Sequence, residues 1–216
     1  IKAAREKNII VTNTPGVNSE AVGELAFGLL ISLARKIHYL DNTTKKGEWI
    51  RSTGIELKDK VLGIVGLGAI GKVVARCAKG YGMKIVAYDP YIQKDYCNEN
   101  NIEILSFEEL IKVSDAISLH LPLNNETLHI IDAKTIDMMK DGVLIINTSR
   151  GGIIDECAAC EALKKGKIGG LGLDAFEKEP PKASPLFNFE NVVATPHTGA
   201  HTKEATENMA NLSIEN

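Results

Sequence analysis

Two kinds of apolar pattern alternate along this chain. Val61–Val65, Ile85–Tyr88, Ala116–Leu119, Val143–Ile146, Gly170–Leu173 and Val192–Ala194 are short runs, apolar almost throughout and bounded by turn residues. Runs that do not alternate with polar positions suit strands covered on both faces, as in a parallel sheet between helical layers. Ile102–Leu105 is a further short run, and Ser106 and Glu109 after it have the spacing of a helix capping box. Ile9-Ile10-Val11 predicts one more strand, before a turn at Asn13-Thr14-Pro15-Gly16. The second pattern is helical. From about Ser19 to Lys45 the residues Val22, Leu25, Ala26, Leu29, Leu30, Leu33 and Ile37 follow i, i+3, i+4 spacing and predict one long helix. Between Leu29 and Leu33 that helix is apolar nearly all round, which predicts cover on two sides, one of them a second copy of the chain in a homodimer or higher homo-oligomer.

Composition narrows the class. At 216 residues and 44% hydrophobic the chain can bury one sizeable core. A net charge of −3 is too small to steer nucleic acid or an acidic membrane, so neither is expected as a partner. No apolar run approaches the roughly 20 residues that span a bilayer. No signal peptide is visible and the four cysteines form no disulfide framework, which predicts a reducing, cytoplasmic setting. Cys157 and Cys160 have C-x-x-C spacing inside a helix starting near Asp155, and no second pair completes a zinc site, so no metal is expected. The first residues read as the tail of a helix and the last as an unfinished one, which predicts a piece of a longer protein.

The chemistry begins at one glycine cluster. Gly66-Leu67-Gly68-Ala69-Ile70-Gly71 follows an apolar run and precedes a helical pattern, the strand, turn and helix of a dinucleotide-binding crossover. The first glycine makes the turn, the second admits a pyrophosphate to the backbone, and the third lets the helix pack against the strand. The phosphates then meet the positive end of the helix. The next strand delivers Asp89, whose carboxylate can accept hydrogen bonds from ribose hydroxyls and would repel a 2′-phosphate. Pro90 and Tyr91 follow, with no basic neighbour, which predicts NAD rather than NADP. The fold predicted is a doubly wound (Rossmann) α/β parallel sheet.

Ligands of such sheets bind beyond the carboxyl ends of the strands. This sequence places His120-Leu121-Pro122, Asn147-Thr148-Ser149-Arg150-Gly151-Gly152, Asp174 through Pro180, and Thr195 through Ala200 there. A cation, carboxylates and an imidazole at one crevice are the parts of a carbonyl reduction: a carboxylate clamp, a proton donor and an acid that holds the donor. His38, His129 and His201, and His120 with them, are expected to be structural or exposed.

These stretches, with Gly23-Glu24-Leu25-Ala26 and Tyr88-Asp89-Pro90, resemble the D-isomer-specific 2-hydroxyacid dehydrogenases in family order along nearly the whole chain. The resemblance implies an NAD-dependent oxidoreductase acting on a small-molecule 2-hydroxy or 2-keto acid. It implies that Arg150 binds the substrate carboxylate, that Glu179 pairs with the acid–base His197, and that Asp174 faces the nicotinamide amide. It places further cofactor contacts at Ala69 and Ile70, Leu121 and Pro122, Thr148 and Ser149, and Gly199 and Ala200, with Arg150 and His197 also beside the nicotinamide. Ala69 stands where family members often carry arginine, which leaves only backbone contacts there. By the same resemblance, residues 1–11 end a substrate domain, 12–202 form the NAD-binding domain, and 203–216 begin a helix returning to the substrate domain. The substrate pair expected first is 3-phosphoglycerate and 3-phosphohydroxypyruvate, as in serine biosynthesis. Glyoxylate, hydroxypyruvate and D-lactate are alternatives, as is a non-enzymatic role as an NADH-sensing corepressor.

Overall fold

The computed structural model describes residues 1–216. In chain order the elements are α1 (Lys2–Glu6), α2 (Ser19–Ala34), α3 (Ile37–Lys45), β1 (Val61–Val65), α4 (Ala69–Gly80), β2 (Lys84–Tyr88), α5 (Lys94–Asn100) and β3 (Glu103–Ile104). They continue with α6 (Phe107–Val113), β4 (Ala116–Leu119), α7 (Ala133–Met138), β5 (Val143–Asn147), α8 (Glu156–Lys164), β6 (Ile168–Leu173), β7 (Val192–Ala194) and α9 (Lys203–Glu215). The seven strands form one all-parallel sheet in the order β3-β2-β1-β4-β5-β6-β7. The chain therefore leaves β1 in one direction for β2 and β3, then returns to lay β4 on the other side of β1. Loops diverge at that reversal and leave a crevice between β1 and β4.

Each apolar strand feeds both faces, because successive side chains point to opposite sides of a sheet. Leu62, Ile64, Leu144 and Ile146 pack with Leu30, Val74 and Ala78 under α2 and α4. Val65, Ile117, Leu119 and Ile145 pack with Leu110, Ile136 and Leu163 under α6, α7 and α8. The capping box at Ser106 and Glu109 is formed, and Asp132 and Thr135 build a second one at α7. By contrast α1 buries no residue and α9 buries only Ala205, so both helices lie outside the core of the sheet.

Two expectations are corrected. The helix predicted over Ser19–Lys45 is two helices. Lys36 between them is left-handed at φ 53°, and the Ile55 N–H takes the carbonyl of Ala34 at 2.8 Å. The segment carrying Ile55 crosses so close that a Cβ on Gly54 would lie 2.6 Å from that carbonyl. The left-handed Lys36 ends the helical ladder, the Ala34 carbonyl is met by Ile55 instead, and hydrophobic periodicity does not register such a backbone turn. The second correction is Ile9-Ile10-Val11, which forms no strand. No edge of the sheet runs beside it, its side chains are exposed, and the Ile9 N–H turns back to the Ala4 carbonyl at 2.9 Å.

The all-round apolar character of α2 is accounted for within the chain. Leu29 and Leu33 press on Gly172 and Gly170 of β6, Gly23 packs on Val73 of α4, and the rings of Phe27 and Tyr81 meet edge to face at 4.9 Å. The exposed apolar side chains nearby are instead Ile37, Trp49, Ile50 and Ile55, on α3 and the segment after it. All four cysteines are unpaired, with Cys160 of α8 buried and Cys157 exposed. No group of three His, Cys, Asp or Glu side chains could hold a metal ion. No helix is long and apolar enough to cross a membrane.

The α2–α4 contact is testable. A Cβ on Gly23 would lie 2.5 Å from Val73 Cγ1 and 2.6 Å from Val73 Cβ. Gly23→Ala gains about 1 kcal/mol in helix propensity but overpacks a close contact, which costs about 1–3 kcal/mol. Urea unfolding should show net destabilisation, and Val73→Ala in the same chain should recover part of it. A Gly23→Ala protein as stable as the parent would show that the helices can separate at no cost.

Candidate functional site

The crevice between β1 and β4 is built from backbone that comes unusually close. Gly66 at the end of β1 has φ 97°, a conformation that favours glycine, and a Cβ there would lie 2.6 Å from the His120 carbonyl. A Cβ on Gly71 would lie 2.2 Å from the Gly66 carbonyl, so the third glycine lets α4 start against the turn. Around Gly68 there is nothing within 4 Å of an added Cβ, and no side chain caps α4. Free N–H groups at a helix N-terminus beside open space fit a pyrophosphate.

Asp89 accepts the Leu67 N–H through Oδ2 and the Tyr91 N–H through Oδ1, both at 2.8 Å. It thus ties the glycine loop to the end of β2. An ionised carboxylate offers about four acceptor sites, so positions remain for ribose hydroxyls.

On the other side of the switch, Asn147 organises the loop after β5. It is fully buried, accepts the Ser149 N–H at 3.0 Å and hydroxyl at 2.7 Å through Oδ1, and donates Nδ2 to the Arg150 carbonyl at 2.8 Å. The Arg150 guanidinium is exposed, with one N–H donated to the Ser149 carbonyl at 2.7 Å. Arg150 is then free to present its remaining donors to an anion.

Asp174, 1% exposed at the end of β6, carries the next loop. Its Oδ1 accepts the Thr195 hydroxyl at 2.6 Å and the Thr198 N–H at 2.8 Å, and Oδ2 accepts the Gly199 N–H at 2.8 Å. All three donors belong to the turn that contains His197. That residue is held left-handed at φ 51°, uncommon for a non-glycine residue. Its Nδ1 lies 2.9 Å from both Glu179 oxygens, and Glu179 Oε1 also accepts the Phe176 N–H at 3.1 Å. Burial pushes the Glu179 carboxyl up, but the bonds from His197 and Phe176, with the charges of His197 and Arg150, hold it below its ordinary value. A carboxylate at Nδ1 selects the tautomer protonated there and leaves Nε2 for a ligand.

Ile70, Leu121, Pro122, Thr148, Ser149, Arg150, Asp174, His197, Gly199 and Ala200 line one cavity of about 810 Å³. Gly66, Gly68, Ala69, Gly71 and Asp89 lie apart from it along the crevice. Glu179 is absent from its wall and stands behind His197. Three wall residues carried no expectation: Asn18 and Val22 at the start of α2, and Leu123. Nothing in local sequence marks Asn18 and Val22, because their place in the wall comes from the docking of α2, whereas Leu123 continues the Leu121-Pro122 stretch after β4. His120, expected to be structural or exposed, is a wall residue as well. Its Nε2 lies 2.8 Å from the buried Ser118 hydroxyl, while Nδ1 is buried with no partner. Burial lowers its pKa to about 4.

Comparison with known proteins places this geometry. The model of the D-isomer specific 2-hydroxyacid dehydrogenase NAD binding domain matches residues 27–199. A D-3-phosphoglycerate dehydrogenase of Methanocaldococcus jannaschii is 46% identical over the whole chain, which spans 42% of that relative. A glyoxylate reductase of Thermococcus litoralis is also 46% identical over the whole chain, which here spans 68%. Among solved structures, a D-lactate dehydrogenase of Aquifex aeolicus complexed with NAD and lactic acid superposes with a TM-score of 0.89 at 33% identity. The match covers 99% of this chain and 70% of that one.

The wall histidine predicts a pH effect on stability. The folded protein refuses a proton that the unfolded chain binds below about 6.5, so the unfolded state holds more protons between the two values. Stability should therefore fall as pH drops from about 6.5 toward about 4. Denaturant titrations across that window should show a weaker slope in His120→Gln. An unchanged slope would mean that His120 protonates in place.

Proposed function

Because the chain belongs to the D-isomer-specific 2-hydroxyacid dehydrogenase family and its matched part is the NAD-binding domain, we propose that the protein transfers a hydride between NAD and a 2-hydroxy or 2-keto acid. The observation that carries this reading is the pairing of His197 Nδ1 with both Glu179 oxygens, on the wall of the cavity that also holds Arg150.

When bound, the nicotinamide would supply the hydride as NADH in reduction and accept it as NAD+ in oxidation. The chain does the rest. Arg150 holds the substrate carboxylate by charge-assisted bonds and so fixes which face of the neighbouring carbonyl meets the cofactor. Negative charge grows on that carbonyl oxygen in reduction, and Arg150 with the His197 imidazolium stabilises it. His197 gives its Nε2 proton in reduction and takes one in oxidation, while Glu179 keeps the ring oriented.

For the substrate we infer 3-phosphoglycerate and 3-phosphohydroxypyruvate, a reading supported by the Methanocaldococcus jannaschii relative. Glyoxylate or hydroxypyruvate is the second reading, supported by the Thermococcus litoralis glyoxylate reductase and a hydroxypyruvate reductase of Thermotoga maritima, each 46% identical. Residues 1–11 and 203–216, whose helices bury almost nothing, are read as parts of a second, substrate-binding domain. The proposed assembly is a dimer in a reducing cytoplasm. Its contact, expected along the whole Ser19–Lys45 segment, is placed on α3 and the exposed Trp49 and Ile50 after it, beside which Arg51 reaches toward a substrate phosphate in the partner.

Turnover of the whole protein with NADH and 3-phosphohydroxypyruvate, hydroxypyruvate, glyoxylate and pyruvate tests the reading. Inactivity on all four would overturn it, and preference for glyoxylate would favour the second reading. In the whole protein His197→Asn should lower turnover by about 10²–10⁴ and leave NADH binding nearly intact. Glu179→Gln keeps an acceptor oxygen for Nδ1 but removes the carboxylate charge beside the ring, and should lower keto-acid turnover while leaving NADH binding nearly intact. Unchanged turnover would mean that the two residues act independently.

A further inference from the structure

One cluster of titratable side chains lies outside the acid–base pair yet touches the loops on both sides of it. The Glu156 N–H donates to Glu177 Oε1 at 3.0 Å, and the Glu177 N–H donates to Glu156 Oε1 at 2.8 Å. Glu156 is the first residue of α8, six positions after Arg150 in the same loop-and-helix unit, and Glu177 lies two before Glu179. Each carboxylate therefore caps a backbone donor of the other's segment, a capping box spread over two loops. His129 completes the group: its Nε2 lies 3.1 Å from Glu177 Oε1, and its N–H donates to the Gly152 carbonyl at 2.7 Å.

Charge alone argues against placing two glutamates together, since like charges side by side repel. Burial is the main reason that the Glu156 carboxyl lies above the ordinary carboxylate range. Such an arrangement persists only when the bonds it makes hold something that needs holding. What they hold is a backbone contact. A Cβ on Gly151 would lie 1.8 Å from the Phe176 carbonyl carbon, so the Arg150 loop rests directly on the loop that leads to Glu179.

We propose that Glu156 and Glu177, steadied by His129, are positioning residues that clip the Arg150 loop to the Glu179 loop and so set the spacing between the carboxylate-binding guanidinium and the acid–base pair. This rests on the hydride-transfer reading above. Neither glutamate lines the cavity that holds Arg150 and His197. The cofactor cradle at Gly66–Gly71 and Asp89 belongs to other strands, so the clip bears on the keto-acid side of the site.

The test uses the whole protein with whichever keto acid of the four it reduces fastest. Glu177→Ala removes one bond of the clip and should lower kcat/KM for the keto acid by about 10- to 100-fold, the scale of a small misplacement of reacting groups. The NADH dissociation constant, measured by fluorescence, should stay within about twofold. Glu177→Gln keeps an acceptor oxygen for the Glu156 N–H and should recover most of the loss. The double variant Glu156→Ala/Glu177→Ala should cost little more than either single change, as residues acting as one unit do.

Equal losses in keto-acid turnover and NADH binding, or no recovery in the glutamine variant, would reduce the cluster to general structural support and overturn the proposal. Full activity in Glu177→Ala would overturn it too while leaving the hydride-transfer reading in place. A parent protein that reduces none of the keto acids would remove that reading, and the clip with it.

Discussion

A carboxylate sealed from water must be met by donors, and Asp174 is the place where this constraint shapes the molecule. Transferring an unpaired carboxylate into the interior costs far more than one hydrogen bond returns, so several donors must converge on it. The chain supplies three from a single five-residue turn, the Thr195 hydroxyl and the N–H groups of Thr198 and Gly199. Drawing that turn inward leaves His197 in a left-handed conformation that it would not choose alone. The ring then projects back toward β6, where Glu179 waits on the loop that Asp174 itself begins. The resemblance gave Asp174 a contact with nicotinamide. The structure adds an earlier duty, since those three bonds anchor the turn that carries the histidine.

The same logic recurs in backbone rather than charge. Loops from different strands touch where a glycine removes a Cβ: Gly66 against the His120 carbonyl, Gly151 against Phe176. The first contact sets the loops that leave the paired strands β1 and β4 directly against each other at the base of the crevice. The second brings the guanidinium loop to the acid–base loop. Neither contact involves a functional side chain, yet each decides whether side chains far apart in sequence can share one ligand.

Sequence reveals what is periodic or local. β1, β4 and β7 have the boundaries that their apolar runs predict, and the capping box at Ser106 forms as its spacing requires. The end of α2 was hidden because the Ile55 N–H that takes the Ala34 carbonyl comes from twenty-one residues away. Ile9–Val11 has strand composition but no strand beside it, and composition does not report neighbours. At the site, Gly66–Gly71, Asn147–Arg150 and Thr195–Ala200 were legible because each is a contiguous turn. Asn18 and Val22 were not, because they reach the cavity wall through the docking of α2; His120 was placed at its strand end but expected to be structural or exposed.

The two halves of the crevice divide the work along the switch point. On the β1–β2 side the features are backbone N–H groups, a tight turn and one carboxylate, Asp89, all suited to a large ligand with fixed phosphates and hydroxyls. On the β5–β7 side they are a guanidinium, an imidazole and carboxylates, suited to a small anion whose charge changes during reaction. A rigid parallel sheet joins the halves, so the distance between binding and chemistry is set by strand spacing rather than by either loop. That separation lets the substrate-facing loops vary while the cofactor half stays the same. It is consistent with relatives at equal identity that carry the names of different reductases and dehydrogenases. In such a frame the loops beyond the strand ends, rather than the sheet, carry the side chains that can differ from one substrate to another.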